Sequence, residues 1–521
     1  MIAGESRTTP AVPLLLALAA LLACAGPGLA LDDRYHTFAE TGAELAAVAA
    51  AYPSIAQLQT LGWTNEEGLP VYALKISDNV TVDEDEPVVL YDGLHHAEEV
   101  MGLEVCLWMI DRLTTEYGVN DTVTGWVDDC EIWFMPLLNP EGHGIVTAEV
   151  DTTWRKNKRD NNDNGVFDPT YDGVDLNQNY DWNWTQGGSG TPENEYYRGP
   201  FPFSEAENCI MRDFCLAEKP VYAVNYHSPR SSDGDCVYYP WYWPGYSFAP
   251  DHAIIFNVAS GLASRTLTEA GVSYTAVYGF ATSGRARNWQ YGAVGTIGFD
   301  QEILSNLCQP SGDRVDGICA KVSRGAYYLL DRMHGPGVTG HVTNAVTNDP
   351  IVAEVKVVEL ASPLLYPRTT EPLYGRYWRM LMPGTYTVEF SCPGYITQTV
   401  TGVVVGETEL TVVDAALEPW AGVPDGEISG ARILRVAPNP TAGGGTRIEF
   451  ARPGTGPASV EIYSIGGRTV ASLSGESSRD GLGAVTWDGR DRDGRPAAAG
   501  VYLARLVTEV GTDQAKVVFT R

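Results

Sequence analysis

Residues 86–118 read EPVVLYDGLHHAEEVMGLEVCLWMIDRLTTEYG and hold the stretch that decides the fold. The apolar run over 88–91 predicts a buried strand, and from Val100 onward apolar residues recur at the spacing of a helix. Polar side chains lie between the two, where a strand ends and a helix begins. Open α/β sheets bind their ligands at such places. These side chains are His95, His96, Glu98 and Glu99.

His96 and Glu99 are three residues apart, so both side chains can point the same way in the first turn of the predicted helix. A neutral imidazole and a carboxylate suit zinc, and a catalytic zinc needs three protein ligands and one open position. The pair alone is weak evidence, because a histidine and a glutamate at this spacing are common without metal. A third ligand must therefore come from elsewhere in the chain.

The order of the predicted elements gives the fold class. Over residues 32–335 strands alternate with helices, which predicts an α/β domain with a mainly parallel or mixed sheet and helices on both faces. The pattern then changes to short alternating strands, which predicts a small β-sandwich over 338–418. Residues 419–430 read as a linker, and residues 431–521 predict a second all-β sandwich.

Further polar residues follow predicted strands of the first domain. Arg155 belongs to a basic island in an acidic chain, and this island reads either as a solvated loop or as a cation that stabilises an oxyanion. His227 follows the apolar run 220–226, and Glu302 follows the run 294–299. In an open α/β sheet, residues at the carboxyl ends of the strands share one crevice, so these side chains can join the His-Glu pair.

An acidic loop offers a second metal site. Asp160, Asn162, Asn164 and Gly165 have the spacing of the first half of an EF-hand loop. The twelfth position is Tyr171, which cannot supply the bidentate carboxylate, so the loop is not an EF-hand. A Ca²⁺ site and an Asx-rich turn both remain open.

The chain's 521 residues are too many for one hydrophobic core. The formal net charge of −31 argues against nucleic acid or an anionic membrane as a partner. Such a charge suits an exported protein that stays soluble.

The first residues predict export. Residues 1–30 read as a targeting segment with a short apolar core over 11–25. Cleavage after Ala30 predicts a secreted protein, whereas the sequence around Cys24 resembles a bacterial lipoprotein signal that would anchor the protein. The remaining cysteines are even in number, which in an exported chain predicts disulfides. Two pairs are close enough in sequence to close small loops: Cys209 with Cys215, and Cys308 with Cys319.

Several segments within residues 32–335 resemble, in order, the zinc carboxypeptidases of the funnelin type. They are His95–Glu99, Asn139–Gly142, Trp154–Lys156, Gly173–Asn177, Tyr226–Ser228 and Phe299–Ile303. The resemblance implies a Zn²⁺ site formed by His96, Glu99 and His227. It also implies that Glu302 is the general base and acid, and that Arg155 stabilises the tetrahedral oxyanion.

The resemblance implies substrate contacts as well. Asn177 would help hold the terminal carboxylate of the substrate, and Tyr278 would close over the substrate. The spacing from Tyr278 to Ser283 is longer than the family pattern. His95 is expected to be a neighbour of the metal site rather than a ligand, and His143 has no matched role.

Two departures from the family pattern concern substrate recognition. Gln178 stands where the family commonly has an arginine that grips the C-terminal carboxylate, and Glu98 stands where it commonly has another arginine. Arg285 or Arg287 is the predicted source of the missing charge. Arg287 corresponds approximately to the position that sets side-chain specificity, which predicts a preference for acidic C-terminal residues.

The two C-terminal domains also resemble known types. Residues 338–418 resemble the carboxypeptidase regulatory-like, or transthyretin-like, domain. Residues 431–521 resemble the sorting and FlgD-like Ig modules of exported bacterial proteins, which implies outer-membrane secretion machinery as a partner. The leading interpretation is a secreted, monomeric zinc metallocarboxypeptidase that acts on peptides or proteins. The alternatives are an amidase or peptidase of cell-wall peptides, and a catalytically weak peptide-binding protein on the same fold.

Overall fold

The computed structural model describes most of the chain beyond the predicted targeting segment. It covers residues 31–419 apart from 229–233, 246, 280–282, 305–306 and 393, and residues 431–520 apart from 438, 440, 443–444, 453–455, 465–467, 478–481, 493 and 496. The predicted targeting segment 1–30 and nearly all of the predicted linker lie outside these residues. Within them, no helix combines the length and the apolar character that crossing a membrane requires.

The first domain alternates strands and helices. Its strands are β1 (Ala56–Trp63), β2 (Pro70–Ile76), β3 (Val88–Asp92), β4 (Glu131–Met135), β5 (Tyr222–His227), β6 (Cys236–Tyr239), β7 (Thr275–Tyr278) and β8 (Ile297–Glu302). Its helices are α1 (Phe38–Ala51), α2 (Met101–Glu116), α3 (Asp121–Asp129), α4 (Pro140–Thr147), α5 (Ala206–Glu218), α6 (His252–Arg265), α7 (Ala286–Trp289) and α8 (Gly312–Asp331).

These strands form one mixed sheet in the order β1-β2-β4-β3-β5-β8-β6-β7. Its centre is parallel, because β3 pairs with β4 and β5, and β5 pairs with β8. Antiparallel pairs lie toward the two edges, where β1 pairs with β2, β2 with β4, and β6 with β8. The predicted α/β class with a mixed sheet is therefore confirmed.

The central strands are buried along their whole length. Every residue of β3, β4 and the mostly apolar β5 is buried, as expected for strands that are covered on both faces. Helix α2 packs against β5 and α8. The chain between β3 and α2 therefore lies at the carboxyl edge of the sheet, above its parallel centre.

Two all-β domains follow. The strands of the second domain are β9 (Gly337–Asn344), β10 (Glu354–Val357), β11 (Arg376–Met380), β12 (Gly384–Ser391), β13 (Gln398–Val405), β14 (Leu410–Val412) and β15 (Ala415–Leu417). Those of the third are β16 (Arg432–Ala437), β17 (Thr441–Ala442), β18 (Thr446–Ala451), β19 (Gly456–Ser464), β20 (Thr469–Ser477), β21 (Leu482–Trp487), β22 (Gly500–Thr508) and β23 (Gly511–Thr520). Each domain has its own apolar core between two small sheets.

The second domain is joined to the first by a buried ion-pair cluster. Asp251, directly before α6, accepts from Arg379 at 3.0 Å and from Arg368 at 3.3 Å. The hydroxyl of Tyr291 donates to the same carboxylate at 2.9 Å. Met380 of β11 packs into the apolar core of the first domain. The two domains therefore share both apolar and ionic contacts.

The structure does not support the two predicted small disulfides, because Cys209, Cys215 and Cys319 are free thiols. Cys209 and Cys215 lie six residues apart on α5. At 1.5 Å of rise per residue their Cα atoms are about 9 Å apart, beyond the roughly 7 Å that a disulfide can bridge. Cys319 points from α8 into the core, where burial raises the pKa of its thiol.

Candidate metal centre

Three potential ligands converge above the parallel strands. The Nδ1 atoms of His96 and His227 are 3.1 Å apart, and Oε2 of Glu99 lies 2.9 Å from the first and 2.8 Å from the second. All three side chains are buried. Ligands at about 2.0–2.1 Å from a tetrahedral zinc are about 3.3 Å from one another, so this donor set fits the ion that the sequence predicts. The prediction that His96 and Glu99 lie in the first turn of a helix is wrong, because both residues precede α2, which begins at Met101.

His96 is oriented by a carboxylate that the sequence analysis did not single out. Its Nε2 lies 3.2 Å from Oδ1 of Asp175, so Nδ1 is left facing the other two ligands. The second oxygen of Asp175 accepts from Nε of Arg155 at 3.0 Å. Burial alone would raise the pKa of Asp175. The positive charges of Arg155 and His96 outweigh this effect and hold the pKa well below its ordinary value. A carboxylate behind a ligating histidine fixes the tautomer of the ring and strengthens it as a ligand.

Glu302 ends β8 directly beside His227, the last residue of β5. The two are partners in the parallel register, as are Asp300 and Asn225 two residues earlier. Asn225 donates to Asp300 at 3.1 Å, which shows that these four side chains share one face of the sheet. Burial, aided by the charges of Glu99 and Asp300, raises the pKa of Glu302 to about 7 against the opposing effect of His227.

Arg155 points into the site, so the structure favours the functional interpretation of the basic island over a solvated loop. Its side chain is 7% exposed, and its Nη1 lies 3.5 Å from Oε1 of Glu99. The ring of Tyr196 lies 5.1 Å from the guanidinium carbon. With Nε donating to Asp175, the guanidinium is held at a fixed angle beside a ligand. Its predicted contact with the oxyanion stays a prediction.

Asn177 lies in the short helical turn Leu176–Gln178 that follows Asp175. Its Nδ2 contacts Nε2 of His227 at 3.0 Å, and its Oδ1 accepts from the backbone N–H of Ala286 at 2.9 Å. The oxygen is thus used within the protein. Because Nε2 of His227 carries the ring proton when Nδ1 binds a metal, the amide hydrogens of Asn177 are left for the predicted contact with the substrate. That contact stays a prediction, whereas the structure shows Asn177 positioning a ligand.

Arg287 and Tyr278, two further predicted substrate-binding residues, have partners within the protein. Arg287 is buried and forms an ion pair with Asp300, with its guanidinium over the ring of Tyr238. Tyr278 ends β7, the edge strand, where it packs against Tyr239 and donates to the carbonyl of Ser247. Its place at the edge of the sheet does not bring it to the three ligands.

Two residues near the site behave as neighbours. His95 lies between Asp92 and the hydroxyl of Tyr180, at 3.0 and 2.7 Å, and is not among the three convergent ligands. His143 contacts the backbone carbonyl of His36 at 2.9 Å. Glu98 is buried, and its charge is felt by Arg155, whose pKa it helps to raise against the effect of burial.

The acidic loop favours the Asx-turn alternative over calcium. The carboxylate of Asp160 accepts from the backbone N–H groups of Asn162, Asn164 and Gly165 at 2.6–3.3 Å. Asn162 and Asn164 likewise accept backbone hydrogen bonds within the loop.

Comparison with known protein families agrees with the order of the three domains. A zinc carboxypeptidase model matches residues 42–306, a carboxypeptidase regulatory-like domain matches 337–418, and a FlgD Ig-like domain matches 439–511. The three domain resemblances inferred from the sequence are thereby confirmed.

Individual relatives point the same way. The chain is 37% identical over 152 residues to a zinc carboxypeptidase of Saccharothrix mutabilis subsp. capreolus, covering 29% of this chain and 33% of that protein. It is 29% identical over 198 residues to carboxypeptidase A2 of Rattus norvegicus, covering 38% and 45%. It is 26% identical over 395 residues to human carboxypeptidase D, covering 71% of this chain and 26% of that protein. The chain thus spans less than half the length of each of these relatives.

Among solved structures, the fold is similar to that of thrombin activatable fibrinolysis inhibitor. The TM-score is 0.51 at 22% identity, over 57% of this chain and 74% of that one. This likeness supports the α/β fold of the first domain. Because the matching family model spans more than half of the 521 residues, this chain belongs to the zinc carboxypeptidase family.

Proposed function

We propose that this protein is a zinc-dependent metallocarboxypeptidase that hydrolyses the C-terminal peptide bond of a peptide or protein. The observation that carries the proposal is the convergence of His96, Glu99 and His227 with a half-buried glutamate, Glu302, that is the partner of His227 in the strand register. A metal-binding or peptide-binding protein would need the first three groups only. A half-buried carboxylate at the edge of the metal site has a use in proton transfer.

Each group of the site has a chemical task in this proposal. Zinc, when bound by these three residues, acts as a Lewis acid and lowers the pKa of a bound water toward neutrality. Glu302 accepts the proton of the attacking water and delivers it to the leaving amine. Arg155 donates to the developing oxyanion through Nη2, since Nε faces Asp175 and Nη1 faces Glu99.

The elevated pKa of Glu302 suits both halves of this task. A base must be ionised to take a proton, and an acid must then give it up to an amine. Partial burial raises the pKa of Glu302 and makes it a stronger base than an exposed glutamate, while the positive charge of a bound zinc ion acts in the opposite direction. Burial is the main cause of the raised pKa of Glu302, so this pKa depends on how the fold encloses the carboxyl group.

The test compares wild type with Glu302→Gln on a mixed peptide library, with products identified by mass spectrometry. We expect wild type to remove single residues from carboxyl ends, and we expect Glu302→Gln to lose about 10²–10⁴-fold in rate, the usual contribution of general acid–base catalysis. Both proteins should bind one zinc ion with equal affinity. Stoichiometric zinc without turnover of any peptide by wild type would contradict the proposal and favour a binding protein.

A second candidate is cleavage of cell-wall peptides. It is favoured by Gln178, which replaces the arginine that commonly grips the terminal carboxylate, and by the buried Glu98, which adds negative charge near the metal. The same assay with purified muropeptides separates the two candidates. Faster turnover of muropeptides than of linear peptides would favour the second.

A preference for acidic C-terminal residues, predicted from Arg285 and Arg287, belongs to the same proposal. Because Arg287 is paired with Asp300, we expect only a modest preference from it. The measurement is the rate of hydrolysis of peptides ending in Glu, Lys and Leu by wild type and by Arg287→Ala. Equal rates for all three peptides with wild type would contradict this preference.

We also propose that the protein is exported as a monomer and that its FlgD-like domain engages outer-membrane secretion machinery. The support is the predicted targeting segment 1–30 and the match over 439–511. Mass analysis of the mature amino terminus tests the route. A chain beginning at Leu31 indicates secretion, and a lipid on Cys24 indicates anchoring to the cell surface.

A further inference from the structure

Arg285 is held beside the metal centre by its two neighbours in the chain. It directly precedes α7. The N–H of Gly284 donates to the carbonyl of Trp182 at 2.8 Å, and the carbonyl of Gly284 accepts from Tyr180 at 3.0 Å. On the other side, the N–H of Ala286 donates to Asn177, which itself contacts the ligand His227. The backbone of Arg285 is therefore fixed against the loop that carries Asn177.

The same contacts bring Arg285 next to Gln178. Gly284 has a φ of +71°, and a Cβ at this position would lie 2.6 Å from the backbone oxygen of Gln178. Only glycine allows so close an approach of the two loops without strain. The first residue beyond this contact is Arg285. A cation thus stands next to the position where the family commonly has one and this chain has a neutral amide.

The guanidinium of Arg285 needs an anion. Its side chain is half-buried, and no acceptor among the described residues takes the buried Nε–H. Burial, together with the neighbouring charges of Arg287 and Arg155, lowers the pKa of Arg285. A desolvated cation with an unsatisfied donor is costly, so binding a carboxylate here gains more than at an exposed arginine.

Asp175 and Asp300, the two carboxylates whose charges raise the pKa of Arg285, are already engaged. Asp175 contacts His96 and Arg155, and Asp300 contacts Arg287 and Asn225. The backbone next to Arg285 donates to Asn177, which in turn contacts the ligand His227, so Arg285 stands beside the metal centre. An anion bound by Arg285 would therefore lie close to the reacting bond, as the terminal carboxylate of a peptide does.

We propose that Arg285 binds the terminal carboxylate of the substrate, in the role that Gln178 cannot fill. The inference rests on the proposed carboxypeptidase function. Arg285 is the better of the two predicted arginines, because Arg287 is buried in its ion pair with Asp300 whereas Arg285 is only half-buried. Two parallel N–H donors of one guanidinium match the two oxygens of a carboxylate.

The experiment measures binding and turnover separately. Binding is measured by calorimetry on zinc-loaded protein with Glu302→Gln, which holds the peptide without cleaving it. The ligands are acetyl-Phe-Leu and the same dipeptide with a C-terminal amide. We expect the acid to bind about 100-fold more tightly than the amide, from two charge-assisted hydrogen bonds at roughly tenfold each. Adding Arg285→Ala should weaken binding of the acid by about the same factor and leave the amide nearly unchanged.

Two further variants make the result specific. A variant that carries both Arg285→Ala and Gln178→Arg has its cation at the position that the family commonly uses. It should bind the acid at least tenfold more tightly than the variant with Arg285→Ala alone. Arg265→Ala removes an exposed arginine on α6 and should change nothing. If Arg285→Ala binds zinc less well or is less thermally stable than its parent, the measurements are repeated with Arg285→Gln. The same loss of affinity for the acid is then expected.

The outcomes distinguish this inference from the proposed function. Equal affinity for acid and amide, or no loss of acid binding in Arg285→Ala, would overturn the inference even where wild type cleaves peptides. Failure of wild type to cleave any peptide would overturn the proposed function, while the acid–amide difference would still support a carboxylate site at Arg285. A larger loss of kcat than of affinity in Arg285→Ala would also overturn it, because a clamp on the ground-state carboxylate acts on KM.

Discussion

Replacing Asp175 by asparagine tests how far the metal centre depends on a residue that does not touch the ion. Asp175 is buried and bridges two functional side chains, His96 through Oδ1 and Arg155 through Oδ2. Asparagine keeps the shape and one acceptor oxygen but removes the negative charge. The amide nitrogen would also face either the imidazole N–H or the guanidinium, both of which donate.

The magnitude follows from these contacts. Loss of a carboxylate behind a ligating histidine typically lowers metal affinity 10–100-fold, which corresponds to about 1.4–2.8 kcal/mol. We expect the upper half of this range for two reasons. Asp175 is buried, so water cannot replace its charge, and the single amide oxygen of asparagine can accept from only one of His96 and Arg155. Turnover should fall further than metal affinity, because the oxyanion donor loses its orientation as well.

The assay is competition for zinc between the protein and a chromophoric chelator at pH 7. Asp172→Asn is the matched control, since Asp172 is also buried in this loop but accepts only from the backbone N–H groups of Asn161 and Asp168. A change of less than twofold in the zinc dissociation constant of Asp175→Asn would refute the reasoning. An equal loss in Asp172→Asn would do so too, because the effect would then reflect the loop and not the ligand.

Three further predictions concern stability. Asp251→Asn leaves Arg368 and Arg379 buried without their anion and should lower the free energy of unfolding by about 3–5 kcal/mol in chemical denaturation, unlike the exposed Asp349→Asn. Burial and nearby acids raise the pKa of Glu86 from 4.5 to about 8, so its ionisation destabilises the fold progressively between these pH values. Glu86→Gln should therefore raise the melting temperature at pH 8 but not at pH 4, and an equal shift at both would contradict this. Gly284→Ala should cost about 1–3 kcal/mol at its left-handed φ and weaken peptide binding; full stability would argue against the close approach of the two loops.

The sequence alone was enough to predict the strand ends that carry the metal centre. The apolar run of β3 and the polar residues after it predict a ligand site because strand and helix periodicities are local. His227 and Glu302 were likewise predicted from runs that end in polar residues. The register that makes them neighbours could not be predicted, because it depends on pairing between strands far apart in the chain.

Residues that act through tertiary contacts escaped the sequence analysis. Asp175 was part of a recognised segment, yet its contact with His96 joins residues 79 positions apart. The general need of a ligating histidine for a carboxylate partner is the signal that could have pointed to it. The ion pair of Arg287 with Asp300 is of the same kind, and it changes which arginine can serve the substrate.

Local patterns were ambiguous where two structures satisfy the same spacing. The acidic loop at Asp160 has the oxygen spacing of a calcium loop, but backbone N–H groups take those oxygens and form Asx turns. Cys209 and Cys215 are near in sequence, but a helix keeps them apart. In both cases the secondary structure of the segment decides the outcome, and spacing does not contain that information.

Moving the carboxylate-binding cation from position 178 to position 285 couples substrate binding to the metal centre. At position 178 a cation would belong to the turn that also carries Asp175, the partner of His96. At position 285 it belongs to the segment that Ala286 ties to Asn177, and the same amide contacts His227. A carboxylate bound to Arg285 is therefore linked to the ligand His227 instead of His96, and the link is the side chain of Asn177. Since Asn177 is buried and its oxygen accepts from Ala286, its side chain holds the Arg285 segment against the ring of His227.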